Sequence, residues 1–287
     1  MAIKITDIAK VYVITLKRFE NRTMEIKTIL QQRFGQFFLS QNIDDIFFRG
    51  SDGEYDLVYD NKSNELTEIY DKNDKDFKIL HTDTKYDSVK FGTRKYKRKM
   101  TKGEFGCLIS HLRAINDIAR NNYQYGIIFE DDFRILSKDF YNDFEKALKK
   151  APNDFDILKI DTRSTSVIRK KSKDNFTILS SMLNIFNFNK YWQNVRCFFH
   201  LTCCSGYIVS LKGARKIIDF IKNNTLPREC TADVLFWMLL PKKYGFKDFY
   251  LIKKPLIIPE IEGLSVINSI GCTRDYDAKK TLQIKNN

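Results

Sequence analysis

The chain has 287 residues, 43% of them hydrophobic, with 23 Phe and 14 Tyr, which is enough to bury a core and excludes a globally disordered protein. No stretch reaches the roughly 18 consecutive apolar residues of a transmembrane helix. A net charge of +13 points to anionic partners such as nucleotide phosphates, phosphorylated glycans, anionic lipid or nucleic acid.

Residues 11–16 are β-branched and apolar and read as a first strand. Lys17, Arg18 and Arg22 follow it, at the carboxyl edge of a sheet. There they could meet a phosphate or simply decorate a helix start. The spacing predicts a helix over 20–34, with Met24, Ile26, Ile29, Leu30 and Phe34 available for its inner face. Residues 47–49 close a second strand at a glycine-containing turn, Gly50 to Gly53. Residues 60–76 are polar with little periodicity and read as an insertion or loose surface segment. The 85–102 stretch carries Lys85, Lys90, Arg94, Lys95, Lys97, Arg98, Lys99 and Lys102 against the single acid Asp87. Tyr86, Phe91 and Tyr96 interleave. A solvated loop, or one that meets an anionic acceptor, is the favoured reading. A nucleic-acid-binding or other polyanion-binding protein is the rival.

Thr101 and Glu104 fit a capping box. Phe105, Leu108, Ile109, Leu112, Ile115 and Ala119 then recur at helical spacing up to Asn121-Asn122. Ser110 and His111 lie inside that helix, where a histidine is most often structural. Residues 126–129 form an apolar run that ends in Glu130, Asp131 and Asp132. Continuous apolar runs mark strands of buried parallel sheets, and ligands of such sheets bind beyond the carboxyl ends of the strands. Hard oxygen donors grouped there suit Mn²⁺ or Mg²⁺ with substrate phosphates, so the stretch reads as a metal–diphosphate site. A solvated acidic turn is the plain alternative.

Ser137 should cap a helix running to Lys150. Residues 155–160 read as a strand followed by Asp161, and 161–178 as a lid or a disordered loop. Small residues around Gly206 lead into a strand to Ser210 and a helix to about Lys222. They would admit either a close ligand or tight packing. Asp233 opens an apolar helix that Pro241 should stop, and it is a candidate general base. Residues 254–259 read as a last short strand, and the tail from 271 as peripheral. The six cysteines contain no CxxC pair, so a zinc site is not expected and the thiols read as reduced.

Four blocks together resemble glycosyltransferase family 25, whose members include lipooligosaccharide galactosyltransferases and collagen hydroxylysine glycosyltransferases. They are Val13-Ile14-Thr15-Leu16-Lys17-Arg18 with Arg22; Gly103-Glu104-Phe105-Gly106-Cys107-Leu108-Ile109-Ser110-His111; Ile128-Phe129-Glu130-Asp131-Asp132; and Ser205-Gly206-Tyr207-Ile208-Val209-Ser210 with Gly213-Ala214-Arg215-Lys216. The family's usual Pro-Val before Asp233 is Thr231-Ala232 here, and Cys203-Cys204-Ser205 replaces a Thr/Ala-rich run.

The resemblance implies an α/β, GT-A-like single domain over 1–287 with a mainly parallel central sheet flanked by helices. Its core would span about 11–266; the basic insertion or loop at about 60–102 is read from the sequence itself, and its segment 85–102 has no counterpart in the family. The resemblance further implies inverting transfer of a hexose, galactose or glucose, from a UDP-sugar with Mn²⁺ (or Mg²⁺). The acceptor would be a hydroxyl of a glycan, glycolipid or hydroxylysine. Asp132 and then Glu130 would hold the metal. Thr15, Leu16, Arg18, Arg22, Ser110, His111, Asp131, Gly206 and Tyr207 would hold the nucleotide sugar. Asp233, with Asp161 behind it, would be the base. A degenerate transferase that binds nucleotide without catalysis is a further reading. No nucleic acid is expected as partner. Residues 1–7 lack a signal-peptide core, so the expected location is cytoplasmic, with peripheral contact at an anionic membrane surface.

Overall fold

Strand β1 (Lys10–Thr15) lies one strand in from the edge of a seven-stranded sheet, buried on both faces. The computed structural model describes residues 3–34, 43–63, 66–82, 90–91, 94–95, 100–152, 154–161, 192–195, 203–227, 230–253 and 255–259. The basic stretch 85–99 (apart from two short strands, Lys90–Phe91 and Arg94–Lys95), the segment 162–191 and the tail from 260 lie outside the described residues.

The sheet order is β11 (Trp192–Asn194), β14 (Phe249–Ile252), β10 (Ile157–Lys159), β12 (Gly206–Ser210), β8 (Tyr125–Glu130), β1 and β2 (Phe47–Arg49). β1 pairs in parallel with both β2 and β8, and β10 with β14. β12 runs antiparallel between β8 and β10, and β11 antiparallel at the edge. The sheet is therefore mainly parallel, as expected of a GT-A-like fold.

Alternation along each strand sends side chains to two cores. Tyr12, Ile14, Ile128, Tyr207 and Val209 join one core with helices α2 (Lys102–Arg120) and α4 (Leu211–Asn223). Val11, Val13, Ile127, Phe129 and Ile208 join the other with α1 (Glu20–Phe34) and α3 (Phe140–Leu148). Three layers result, with helices on both faces.

Several expectations hold locally. The Thr101 side chain accepts from the Glu104 amide at 3.2 Å, and the Glu104 carboxylate accepts from the Thr101 amide at 2.9 Å. α2 ends at Asn121, after which Asn122 takes a left-handed φ of 57°. Residues 257–259 form β15 (Ile257–Pro259), paired with β9 (Phe133–Ile135).

Others need correction. Residues 60–76 are not a loose segment. They belong to an antiparallel meander of β3 (Leu57–Ser63), β4 (Leu66–Asp71) and β5 (Asp74–Thr82), completed by β13 (Thr225–Leu226). Ile69, Phe77 and Ile79 point into the first core, while Lys72, Lys75, Asp76 and Lys78 face out and Asp71 is buried. Met24 is 64% exposed, because it stands about 200° around the helix from Ile26, which with Leu30 sets the buried face. α3 starts at Phe140, not at Ser137, whose hydroxyl instead donates to Asp143 at 2.6 Å and accepts from the Asp139 amide at 3.2 Å. Pro241 does not stop its helix. After one α turn, α5 (Ala232–Val234), the chain continues as a π-helix over Leu235–Lys243. The wider turn accommodates a ring that would strike the carbonyl four residues back in an α-helix.

Candidate active site

The parallel register of β1 and β8 sets Ile14 opposite Glu130, so the residues after both strands emerge at one sheet edge. A 3₁₀ turn, Lys17–Phe19, and the start of α1 carry Arg18 and Arg22 back over that edge. The first turns of α2 supply the facing wall. The resulting cleft is lined by Thr15, Leu16, Arg18, Arg22, Ser51, Gly53, Gly103, Cys107, Ser110, His111, Glu130, Asp131 and Asp132, together with Ile14. The blocks after the first strand, on α2 and at the acidic tip therefore converge, though up to about a hundred residues apart in sequence.

Glycines make this wall possible. A Cβ on Gly53 would stand 1.7 Å from the Lys102 carbonyl oxygen, and one on Gly106 2.6 Å from that of Ser51. Backbone thus lies on backbone where the loop after β2 meets α2. Ser110 fastens the same contact, accepting from the Ser51 amide at 2.7 Å and donating to the Gly106 carbonyl at 2.7 Å. Behind it, Arg113 donates to Ser51 Oγ at 2.9 Å and pairs with Asp71 at 2.8 Å and Asp74 at 3.1 Å. The meander and the cleft floor are tied together through this guanidinium.

The three acids differ in environment. Glu130 Oε1 accepts from His111 Nε2 at 3.0 Å and Cys107 Sγ at 3.6 Å, and Oε2 from Ser205 Oγ at 3.4 Å. Burial works to raise its pKa, but the His111 and Cys107 contacts outweigh it and hold the carboxyl below its ordinary value. Asp131 accepts from Thr15 Oγ1 at 3.1 Å and faces Arg22 at 3.5 Å. Its pKa is raised, burial outweighing those two partners. Asp132 Oδ1 is buried and has no hydrogen-bond partner among the described residues. Burial first, then the charges of Glu130 and Asp131, push its pKa well above the usual carboxylate range.

Opposite the acids, Arg18 pairs with Asp52 at 3.0 Å and lies over the rings of Phe19 and Tyr55, at 5.3 and 5.9 Å. Arg22 also lies over Phe19 at 5.3 Å. The cleft so presents guanidinium groups on one side and carboxylates on the other, an arrangement suited to an anion bridged to a cation.

The glycosyltransferase family 25 (LPS biosynthesis protein) profile matches residues 8–232. The chain belongs to glycosyltransferase family 25. It is similar to a putative glycosyltransferase of Haemophilus influenzae, 27% identical over 167 residues, covering 56% of this chain and 49% of that protein. The lipooligosaccharide biosynthesis protein lex-1 of the same organism is 33% identical over 137 residues, 44% of this chain and 39% of the relative. Procollagen galactosyltransferase 1-B of Xenopus laevis is 27% identical over 125 residues, 42% of this chain and 18% of the relative. The matches thus span about half or less of the length of these relatives.

In this family member, two of the expected nucleotide-sugar residues do not line the cleft. Gly206 is small for packing, since a Cβ there would stand 2.2 Å from Ile257 Cδ1 and 3.2 Å from the Phe129 ring. Tyr207 is wholly buried and reaches His111 Nδ1 with its hydroxyl at 2.8 Å. His111 is therefore structural and cleft-lining at once.

Asp161 is removed from the cleft. It is fully buried, ion-paired to the equally buried Lys159, and accepts from the Ser205 amide at 2.8 Å and Cys203 Sγ at 3.1 Å. Lys159 also sits 4.3 Å from the Trp237 ring centroid and donates to the Cys203 carbonyl at 2.7 Å. Burial pushes the Asp161 pKa up in spite of the Lys159 charge beside it. Asp233 is half-buried. Its Oδ1 accepts from Thr231 Oγ1 at 2.5 Å and the Val234 amide at 3.0 Å. It does not line the cleft, yet its charge helps to raise the pKa of Cys107 on the cleft wall. Sequence reasoning gave no role to Ser51, Asp52 or Cys107. For Cys107 a signal existed, its spacing of one helical turn from His111.

No helix among the described residues is long and apolar enough to cross a membrane.

Proposed function

We propose that the protein is an inverting hexosyltransferase, moving galactose or glucose from a UDP-sugar to a hydroxyl of a glycan, glycolipid or hydroxylysine acceptor with a divalent cation, Mn²⁺ or Mg²⁺. The observation that carries the reading is the buried, unpartnered Asp132 Oδ1 in an acid cluster across from Arg18 and Arg22. Galactose is favoured by the names of the procollagen relatives, and a lipooligosaccharide-type acceptor by lex-1, the more identical relative.

The acids fit a hard divalent cation. A carboxylate oxygen without a partner, in a site whose like charges oppose ionisation, gains most from a +2 ion. Asp132 would hold it, with Glu130 Oε2, the more loosely bonded Glu130 oxygen, as second ligand. When bound, the ion would neutralise charge on the departing diphosphate as a Lewis acid. Arg18 and Arg22 would orient the phosphates, and Asp131, already held by Thr15 and Arg22, would face the ribose or sugar. Inversion requires a base for the acceptor hydroxyl, and Asp233 fits that role better than the ion-paired Asp161. Peripheral contact with an anionic membrane would suit the +13 charge.

The test is UDP release from a panel of UDP-sugars, with and without Mn²⁺, by wild type and Asp132→Ala. Metal-dependent release from one sugar, lost in the variant, is expected. Release that ignores both metal and variant would overturn the site, and absence of UDP binding by calorimetry would overturn the reading.

A further inference from the structure

Cys107 and His111 stand four residues apart on α2 and so project from the same helix face. Glu130, arriving from β8, meets both: its Oε1 lies 3.0 Å from His111 Nε2 and 3.6 Å from Cys107 Sγ. The three donor atoms lie within 4.8 Å of one another, an arrangement found nowhere else among the described residues for His, Cys, Asp and Glu. All three residues line the cleft. We propose that Cys107, His111 and Glu130 form a binding site for a thiophilic divalent cation, Zn²⁺ in the first instance, which shares the Glu130 carboxylate with the hard-oxygen site at Asp132.

The donors are a thiol, an imidazole nitrogen and a carboxylate, the three kinds that zinc takes. Donors around a tetrahedral zinc stand about 3.5 Å apart, given bonds of 2.0–2.3 Å. The observed spacings need only small side-chain shifts to reach that. A Mn²⁺ or Mg²⁺ ion prefers all-oxygen surroundings, so the two sites select different metals. Searching for CxxC pairs does not find a site of this kind, because its single cysteine is completed from a helix and a distant strand.

The outer shell is also in place. His111 Nδ1 is 2.8 Å from the Tyr207 hydroxyl, a group able to donate or accept. Without metal, Nε2 faces Glu130 and Nδ1 faces the Tyr207 hydroxyl. With metal, Nε2 supplies its lone pair, and Nδ1–H donates to the Tyr207 oxygen. A ligating histidine ordinarily has such a partner behind it. The proton released to solvent comes from the Cys107 thiol, and the new bonds are zinc to sulfur, to nitrogen and to a Glu130 oxygen. Three protein donors leave a fourth position open, on the cleft side.

The test uses the full-length protein, stripped with chelator, and Co²⁺ as a coloured stand-in for zinc. One equivalent of Co²⁺ should give a thiolate-to-cobalt charge-transfer band, which one equivalent of Zn²⁺ bleaches. Cys107→Ser should abolish the band, and Asp132→Ala should keep it. Tyr207→Phe should weaken Co²⁺ binding roughly 10- to 100-fold. Circular dichroism melts identify any variant that does not fold, and Cys107→Ser with Asp132→Ala suffices to decide. No band in wild type, a band that survives Cys107→Ser, or one lost in folded Asp132→Ala would overturn the proposal. The consequence for activity rests on the transferase reading: a zinc-loaded protein should release UDP at least several-fold more slowly. Unchanged release from protein whose cobalt band zinc has bleached would overturn the inhibition. Absence of release under every condition would count against the transferase reading, on which the cobalt band does not depend.

Discussion

Tyr207 Oη and Glu130 Oε1 grip opposite nitrogens of one imidazole, His111, at 2.8 and 3.0 Å. A residue buried in the sheet thus sets the direction of a carboxylate in the cleft. Tyr207→Phe would leave Nδ1 without a partner in the interior. An unsatisfied buried polar group costs about 1–3 kcal/mol. The midpoint of urea unfolding should fall accordingly, and transfer activity with it. An unchanged midpoint would mean that the ring is held by packing alone.

Asp132 should make the metal-free protein less stable as pH rises. Its pKa is raised on folding, so between the unfolded value, about 4, and the folded one the native state binds the extra proton. Stability then falls with pH across that window. Asp132→Asn removes the effect and should raise Tm near neutral pH. In wild type, Mn²⁺ at a hundred times its Kd should stabilise by about 2.7 kcal/mol, and Asp132→Asn should show little of this shift. Differential scanning calorimetry with and without Mn²⁺ reads both effects. A lower Tm for metal-free Asp132→Asn would contradict the electrostatic account.

For Asp233→Asn we expect UDP binding to survive while kcat falls about 10²- to 10⁴-fold, the usual scale of general-base loss. Calorimetry and a transfer assay separate the two. Turnover within a few-fold of wild type would remove Asp233 from the chemistry.

Lys159 and Asp161 should behave as a structural pair. Breaking a buried ion pair at one end costs about 3–5 kcal/mol, whereas replacing both ends with apolar residues can be neutral. Lys159→Met alone should therefore lower Tm sharply, and Lys159→Met with Asp161→Leu should recover much of it. A double variant that is folded and still active would also exclude Asp161 as the base.

Gly53→Ala should be among the most damaging single-methyl changes in the chain, because the added carbon meets backbone, 1.7 Å from the Lys102 carbonyl oxygen. Overpacking typically costs 1–3 kcal/mol and occasionally more. Here the loop after β2 must also move off α2, so UDP affinity should fall along with Tm. A variant with normal values for both would show that the loop can shift freely.

What the sequence made legible was local. The capping box at Thr101, the apolar run before Glu130 and the β-branched stretch before Thr15 each carry their signal within a few residues, and each formed as expected. The convergence of the two strand ends was also readable, because parallel pairing follows from continuous apolar runs. The meander was hidden because Lys75, Asp76 and Lys78 outnumber the inward Phe77 and Ile79, so period-two alternation is diluted by charge. The bend to a π-helix at Pro241 was hidden because the rule for proline concerns α-helices. Glu130, His111 and Tyr207 are far apart in sequence, and no local pattern joins a tyrosine on one strand to a carboxylate on its neighbour. Met24 failed for a simpler reason: hydrophobicity alone does not state which of two possible helix faces is the inner one.

The antiparallel strand β12 has a consequence for synthesis on the ribosome. β8 gains its second neighbour only when residues 206–210 have been made, because β12 separates it from β10. While the intervening stretch is translated, the acid-bearing strand has an unpaired, apolar edge, the kind of surface that recruits other chains. Nascent chains arrested before residue 206 should thus depend on chaperones, and those carried past residue 223, with α4 available to cover the sheet, should not.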